Sequence, residues 1–267
     1  MNRIDHLFTT LQGRGEKALV GFVTAGDPSR DRSMRIVEAM QAGGLDLLEL
    51  GIPFSDPTAD GTAIQRSSQR ALAAGASTGM VLDMLHALRR TCRLPVVLFG
   101  YYNPIFVYGV DRFCRDAAAA GADGLLVVDL PPEESGEIDA AAQNAGLALI
   151  RLVAPTTPPE RMQRICTAAD GFIYLVSMAG VTGGGGLDTA SVGRQVQVLR
   201  GMTDLPVCVG FGISTPSQAA DTAAVADGVV VGSAFERLIE RHLDDPRLPA
   251  ILRRFVKELK AAVSEGD

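Results

Sequence analysis

The chain has 267 residues, 47% apolar and 21% charged, which is ample material for a packed core and too little charge for a disordered chain. Lys and Arg number 25 against 31 Asp and Glu, and the net charge of -6 is opposite in sign to the basic footprint that nucleic acid or an anionic membrane selects. The apolar runs also stop well short of the roughly 20 residues a bilayer span needs, so neither nucleic acid nor membrane is expected as a partner.

The first residues, MNRIDHLFTT, carry charge and no apolar h-region, so no signal peptide is read there and the cytoplasm is the expected compartment. In chain order the pattern then predicts a helix over 4–12, a strand over 19–23, a helix over 30–41 and a strand over 45–50. A helix over 81–90 precedes a strand over 96–99, and a helix over 111–120 precedes a strand over 124–128. The remaining pairs are helix 134–144 with strand 148–152, helix 159–168 with strand 172–176, strand 207–209, and helix 216–224 with strand 228–231. A last helix over 248–263 closes the chain. Ala120-Gly121, Ala145-Gly146 and Ala226-Asp227-Gly228 read as helix ends feeding short loops, with Gly supplying a left-handed cap.

Eight parallel strands with right-handed helical crossovers close most economically into a (β/α)8 TIM barrel, whose usual length of about 250 residues this chain matches. The expectation is one barrel domain over residues 1–267, with an extra N-terminal helix and extra helices in the βα loops. An open doubly wound sheet is the alternative, but no GxGxxG opens the first helix and no Walker loop is present. In a barrel the chemistry sits just after each strand.

On the second strand, Leu45, Leu47 and Glu49 share one face. If that face lines the barrel, Glu49 is a lone carboxylate in an apolar layer, and burial raises its pKa toward a range suited to proton transfer. The competing reading is a Glu paired with an Arg. Asp56 and Asp60 follow in a proline-containing loop, where Asp60 could equally cap a helix starting at Thr62. Asp129, ending the fourth strand ahead of Pro131-Pro132-Glu133-Glu134, has the same ambiguity.

Glycine-rich turns follow the last three strands, around Gly183, at Phe211-Gly212 and at Gly232-Ser233. Their backbone amides, with a helix N-terminus, could cradle a phosphate without a basic side chain. A Schiff-base mechanism would need a strand-end lysine, yet Lys17 precedes the first strand and Lys257 and Lys260 sit in the last helix. His6, His86 and His242 fall in helical segments, so no metal site is expected. Phe22, Phe54, Phe99, Tyr101, Leu126 and Tyr174 offer a wall for a flat apolar substrate, and Cys92, Cys114, Cys166 and Cys208 read as buried thiols.

The motifs LELGIPFSDPTADGTAIQ, GYYNPIFVYG, VVDLPPEE, YLVSMAGVTG, VGFGIS and VGSA, in this order from Phe22 to Ala234, resemble the tryptophan synthase alpha chain family. The resemblance implies cofactor-free cleavage of indole-3-glycerol phosphate to indole and glyceraldehyde 3-phosphate, a lyase reaction of tryptophan biosynthesis. It also implies that Glu49 is the acid/base group, that Asp60 holds the indole nitrogen, that Tyr174 is the sixth-strand tyrosine, and that Gly183, Phe211, Gly212, Gly232 and Ser233 bind phosphate. With them, Phe22, Tyr101 and Asp129 complete the expected substrate contacts. The implied partner is a beta chain in an α2β2 heterotetramer, with pyridoxal phosphate confined to that partner and with Phe54, Asp56 and Gly180 near the contact. Thr58 and Thr62 depart from the family's usual apolar residue and Pro, and the glycine run after Thr182 is longer than usual. Two other roles remain open at this point: a stand-alone lyase and a mainly regulatory barrel.

Overall fold

Every strand pairing in the computed structural model, which describes residues 2–176, 189–210 and 212–264, is parallel. The strands are β1 (Ala18–Thr24), β2 (Leu47–Gly51), β3 (Val96–Gly100), β4 (Gly124–Val127), β5 (Ala148–Leu149), β6 (Arg151–Val153), β7 (Ile173–Val176), β8 (Val207–Gly210) and β9 (Gly228–Val231). The helices are α1 (Arg3–Gly13), α2 (Arg30–Gly43), α3 (Thr62–Ala73), α4 (Thr78–Leu88), α5 (Tyr102–Tyr108), α6 (Val110–Ala120), α7 (Gly136–Ala145), α8 (Pro159–Thr167), α9 (Thr189–Arg200), α10 (Pro216–Ala223), α11 (Ser233–Arg241) and α12 (Leu248–Ser264). No single helix among the described residues is long and apolar enough to cross a membrane.

The hydrogen-bonded order is β5, β4, β3, β2, β1, β9, β8, β7, β6, so the two ends of the sheet are consecutive in the chain and separated by Ile150 alone. β5 and β6 are the predicted fifth strand, broken at Ile150. Its first half pairs with β4 and its second with β7, which brings the sheet round on itself as a barrel. The Ile150 N–H still donates to the Leu125 carbonyl at 2.9 Å.

The inward faces of the strands form one apolar cluster that includes Ala18, Val20, Leu47, Val97, Leu126, Ala148, Ile150, Phe172, Cys208 and Val230. α1 plugs its lower end with Ile4, Phe8 and Leu11. The Asn2 side chain accepts from the Ile4 amide while Asp5 accepts from the Asn2 amide, a reciprocal cap that starts this helix. Arg3 fixes it beneath β4 through Asp123 at 2.8 Å.

The outward faces pack under the helices. On α12, Leu248, Leu252, Val256, Leu259 and Val263 make a stripe at helical spacing, buried with Ile36, Val37 and Met40 of α2. Each such side chain contributes about 1.5–3 kcal/mol by burial. Leu45 belongs to this outer layer and does not share the inward face of Glu49, because β2 begins only at Leu47. The left-handed caps at Gly44, Gly121 and Gly146 are present, whereas Gly228 opens β9 and caps nothing. The helix expected from 134 is a 3-10 turn (Pro132–Glu134) followed by α7, with Ser135 at the junction. Cys92, Cys114, Cys166 and Cys208 are buried free thiols.

One polar cluster ties together the elements that carry the upper rim. The Thr24 amide donates to Glu236 Oε1 at 2.7 Å, while Arg70 holds both oxygens of Asp27 at 2.9 and 2.7 Å and reaches Glu240 at 3.1 Å. Arg66 adds two bonds to Glu240 at 2.6 and 2.8 Å, so α3 and α11 are laced together beside the end of β1. Glu236 is 1% exposed, and its Oε2 has no hydrogen-bond partner among the described residues. Burial, and next the Asp27 carboxylate, push its pKa up to about 8.

The folded chain therefore holds a proton that the unfolded chain releases near pH 4.5, and stability falls as pH rises from there through about 8. Glu236→Gln should flatten that slope and melt above the wild type at pH 8.5, with Glu49, Asp60 and the other carboxyls raised by burial, Asp27 and Asp46, supplying a residual slope of the same sign. Thermal melts at pH 5.5 and 8.5 check this. Equal destabilisation of the variant at both values would refute it.

Candidate active site

Register places Phe22 of β1 beside Glu49 of β2, and Glu49 beside Val97 of β3. Glu49 is 1% exposed, lies at the middle of its five-residue strand, two residues before its C-terminal end, and has an Oε1 with no hydrogen-bond partner among the described residues. Among the described residues no arginine pairs with it. Burial is the one cause of its shift, to about 8, so the carboxyl is mostly neutral at pH 7.

Phe22 and Phe99 meet edge to face at 5.1 Å beside this carboxyl. Gly51 makes that possible, because a Cβ there would stand 2.6 Å from Cζ of Phe22. At Gly210 a Cβ would collide with the Tyr174 hydroxyl, so glycine lets that phenol sit against β8. Burial also holds the Tyr174 phenol far above its usual range.

Asp60 stands across the mouth in the loop after β2. It does not cap α3, whose cap position is Gly61 with no side-chain bond. Instead the Tyr101 hydroxyl donates to Asp60 Oδ2 at 3.0 Å and accepts from the Ala59 amide at 3.0 Å, which pins the loop to the end of β3. Burial raises the Asp60 pKa to about 6 and the Tyr101 bond opposes it, so Asp60 is mostly ionised at pH 7. Tyr101 is 3% exposed and stacks on Phe54 at 5.3 Å. Asp56 is exposed and accepts from Ser55 within its own loop.

Two cavities open here and share Gly61, Ile64, Phe99 and Tyr174. The larger, about 630 Å³, is lined by Asp60, Asp129 and an apolar wall including Val128, Ile150 and Leu152. The smaller, about 210 Å³, holds Glu49, Phe22, Gly212, Gly232 and Ser233. Asp129 lines the larger cavity and also accepts from the Tyr102 amide at 2.8 Å, so it caps α5 and not the helix that follows it in sequence. Leu126 lies in the barrel interior and lines neither cavity.

The phosphate-type features gather on the smaller cavity. Gly212 has φ +77°, a left-handed conformation that favours glycine. Ser233 is the first residue of α11, and the first helical bonds are those of the Phe235 and Glu236 amides to the Gly232 carbonyl. The Ser233 and Ala234 amides thus precede the helical ladder and point out of its positive end. Gly180, Gly183 and Phe211, together with Met178-Ala179 and the glycine run, lie outside the described residues. Among the described residues no group of three or more His, Cys, Asp or Glu is arranged to hold a metal ion. Ile64 and Arg237, which carry no signal in the sequence, also line the smaller cavity, as does Thr62, where the sequence departs from the family's usual Pro.

A parallel α/β barrel with two carboxylates of unequal acidity, Glu49 on β2 and Asp60 in the loop after it, near the first amides of α11, belongs to the TIM-barrel class. The sequence pattern of the tryptophan synthase alpha chain family matches residues 8–264. A tryptophan synthase alpha chain of Desulfatibacillum aliphaticivorans is 58% identical over 98% of this chain and 99% of its own length. One of Desulfosudis oleivorans is 56% identical with the same coverage. Among solved structures, tryptophan synthase subunit alpha of Legionella pneumophila superposes with a TM-score of 0.92 at 40% identity, covering 98% of both chains. A chain of tryptophan synthase from M. tuberculosis, in its aminoacrylate-bound form, gives 0.88 at 35% identity, covering 98% of this chain and all of that one. The chain belongs to the tryptophan synthase alpha chain family.

Proposed function

We propose that this chain, one barrel domain over residues 1–267 working in the cytoplasm, cleaves indole-3-glycerol phosphate to indole and glyceraldehyde 3-phosphate without a cofactor of its own. The observation that carries the reading is Glu49, a buried carboxyl with an unpaired oxygen that stays mostly neutral at pH 7 and faces a cavity between an apolar lobe and an anion-binding helix end.

The cleavage needs a proton on indole C3 and the loss of one from the adjacent glycerol hydroxyl. Glu49 in its neutral form gives the first. The C3–glycerol bond then breaks, its electron pair returns to the ring, and the hydroxyl proton passes to the Glu49 carboxylate as the aldehyde forms. Protons balance, and the enzyme ends as it began. Asp60, mostly ionised at pH 7, accepts the ring N–H and stabilises the positive charge that appears there once C3 is protonated. The two environments set the pKa values apart and so assign the acid and the counter-charge.

Phe22, Phe99 and Tyr174 hold the ring. Gly212, Gly232 and Ser233 at the smaller lobe receive the glycerol phosphate end, with Gly183 and Phe211 as further phosphate contacts, while Asp129 lines the larger lobe beside Asp60 as a further substrate contact. The expected partner is the family's beta chain in an α2β2 assembly, with pyridoxal phosphate on that partner. Phe106 and Val107 of α5, 60% and 77% exposed, give an apolar rim for such a contact beside the loop of Phe54 and Asp56.

Indole release by the purified chain, alone and with a beta chain, tests this reading. Slow release alone and faster release with the beta chain is the expected result. Release that the beta chain leaves unchanged would make the chain a stand-alone lyase, and no release in either case would leave only a regulatory barrel.

A further inference from the structure

Among the described residues one cation lines the smaller cavity, and it comes from within α11. Arg237 lines the smaller cavity with Gly212, Gly232 and Ser233, and it is the only cation among the described residues that does. It is half-buried and makes no ion pair or hydrogen bond among the described residues, in contrast to its neighbours. Arg66 and Arg70 are held by Glu240 and Asp27, and Arg151 and Arg161, on the larger cavity, by Asp139 and Glu133. A partly desolvated guanidinium with no partner is costly unless an anion joins it. Glu49 is not that anion, since no cation contributes to the shift of its carboxyl.

We propose that Arg237 is a specificity-determining residue that binds the substrate's phosphate from the side, completing the cradle formed by the start of α11. This rests on the reading of the site as one for a phosphorylated substrate. Arg237 follows Ser233 by four residues, so both lie on one face of the helix, about 6 Å apart along its axis. Helical side chains lean toward the N-terminus, and an extended arginine spans that rise, bringing its fork to the end where the Ser233 and Ala234 amides emerge. Amides and helix dipole supply partial positive charge, while the guanidinium supplies a full charge and a bidentate fork matched to phosphate oxygens. A substrate with a neutral tail in place of the phosphate leaves that charge unpaired and is rejected.

The test measures Kd for glycerol 3-phosphate, with inorganic phosphate and indole as further probes, in the wild type, Arg237→Ala and Arg237→Lys, alongside steady-state cleavage of indole-3-glycerol phosphate. Arg237→Ala should weaken glycerol 3-phosphate by about 10- to 100-fold, with Arg237→Lys in between, while indole binding moves less than about twofold. KM should rise far more than kcat falls. Thermal melts of both variants separate this from loss of fold, and the lysine variant keeps the comparison open if the alanine variant melts early. If folded Arg237→Ala binds glycerol 3-phosphate within twofold of wild type, the proposal is wrong even where the wild type cleaves its substrate. If instead the wild type cleaves nothing but the variant still loses phosphate affinity, the anion site stands and the assigned reaction falls.

Discussion

Glu49→Gln is expected to lower kcat for indole release by about 10²- to 10⁴-fold while the protein keeps its fold, because the amide preserves shape and loses proton transfer. The carboxyl is buried without a charged partner, so the amide meets no broken ion pair. The melt at pH 7 should match or exceed that of the wild type, since the variant no longer faces the cost of ionising in an apolar layer. Turnover and a circular-dichroism melt on the same preparation check both halves. Residual activity above about a tenth of wild type would remove Glu49 from the chemistry.

Asp60→Asn should reduce turnover by about 100-fold, the range typical of removing one preorganised electrostatic contact to a charge that develops in the transition state. Asparagine keeps an oxygen for the Tyr101 hydroxyl, so the loop stays docked and only the charge is lost. Asp60 lines the larger lobe and the helix end lines the smaller, so affinity for glycerol 3-phosphate should change less than about twofold. A large loss in that titration would place Asp60 at the other end of the substrate.

Much of this arrangement could be read from the sequence, for identifiable reasons. Period-two alternation put Glu49 inside the barrel, since a strand leaves few choices once Leu47 faces inward. The same periodicity misplaced Leu45, which precedes the strand and turns outward. The break at Ile150 carries no Gly or Pro to mark it, and the apolar run from Ala148 to Leu152 is interrupted only by Arg151, where the pairing partner changes from β4 to β7.

Asp60 stayed ambiguous in sequence because its partner, Tyr101, lies 41 residues away at the end of another strand. Asp129 misled for the same reason, since the helix it caps precedes it in the chain. The Glu236 cluster and Arg237 were missed together. The turn at Gly232-Ser233 drew attention to its amides, and the helix that follows, with Phe235 and Ile239 buried on one side, was not drawn.

Burial holds Glu49 mostly neutral at pH 7, able to give a proton, opposite an ionised Asp60. The pH dependence of kcat/KM for indole release tests it most directly, because that quantity reports the ionisations of the free enzyme. Activity should fall below about pH 6 as Asp60 takes up a proton and fall again above about pH 8 as Glu49 loses one. In Asp60→Asn the acid limb should disappear from the residual activity while the basic limb stays. A wild-type profile that stays level to pH 9.5 would contradict the account, since an ionised Glu49 would then be as good a catalyst as a neutral one.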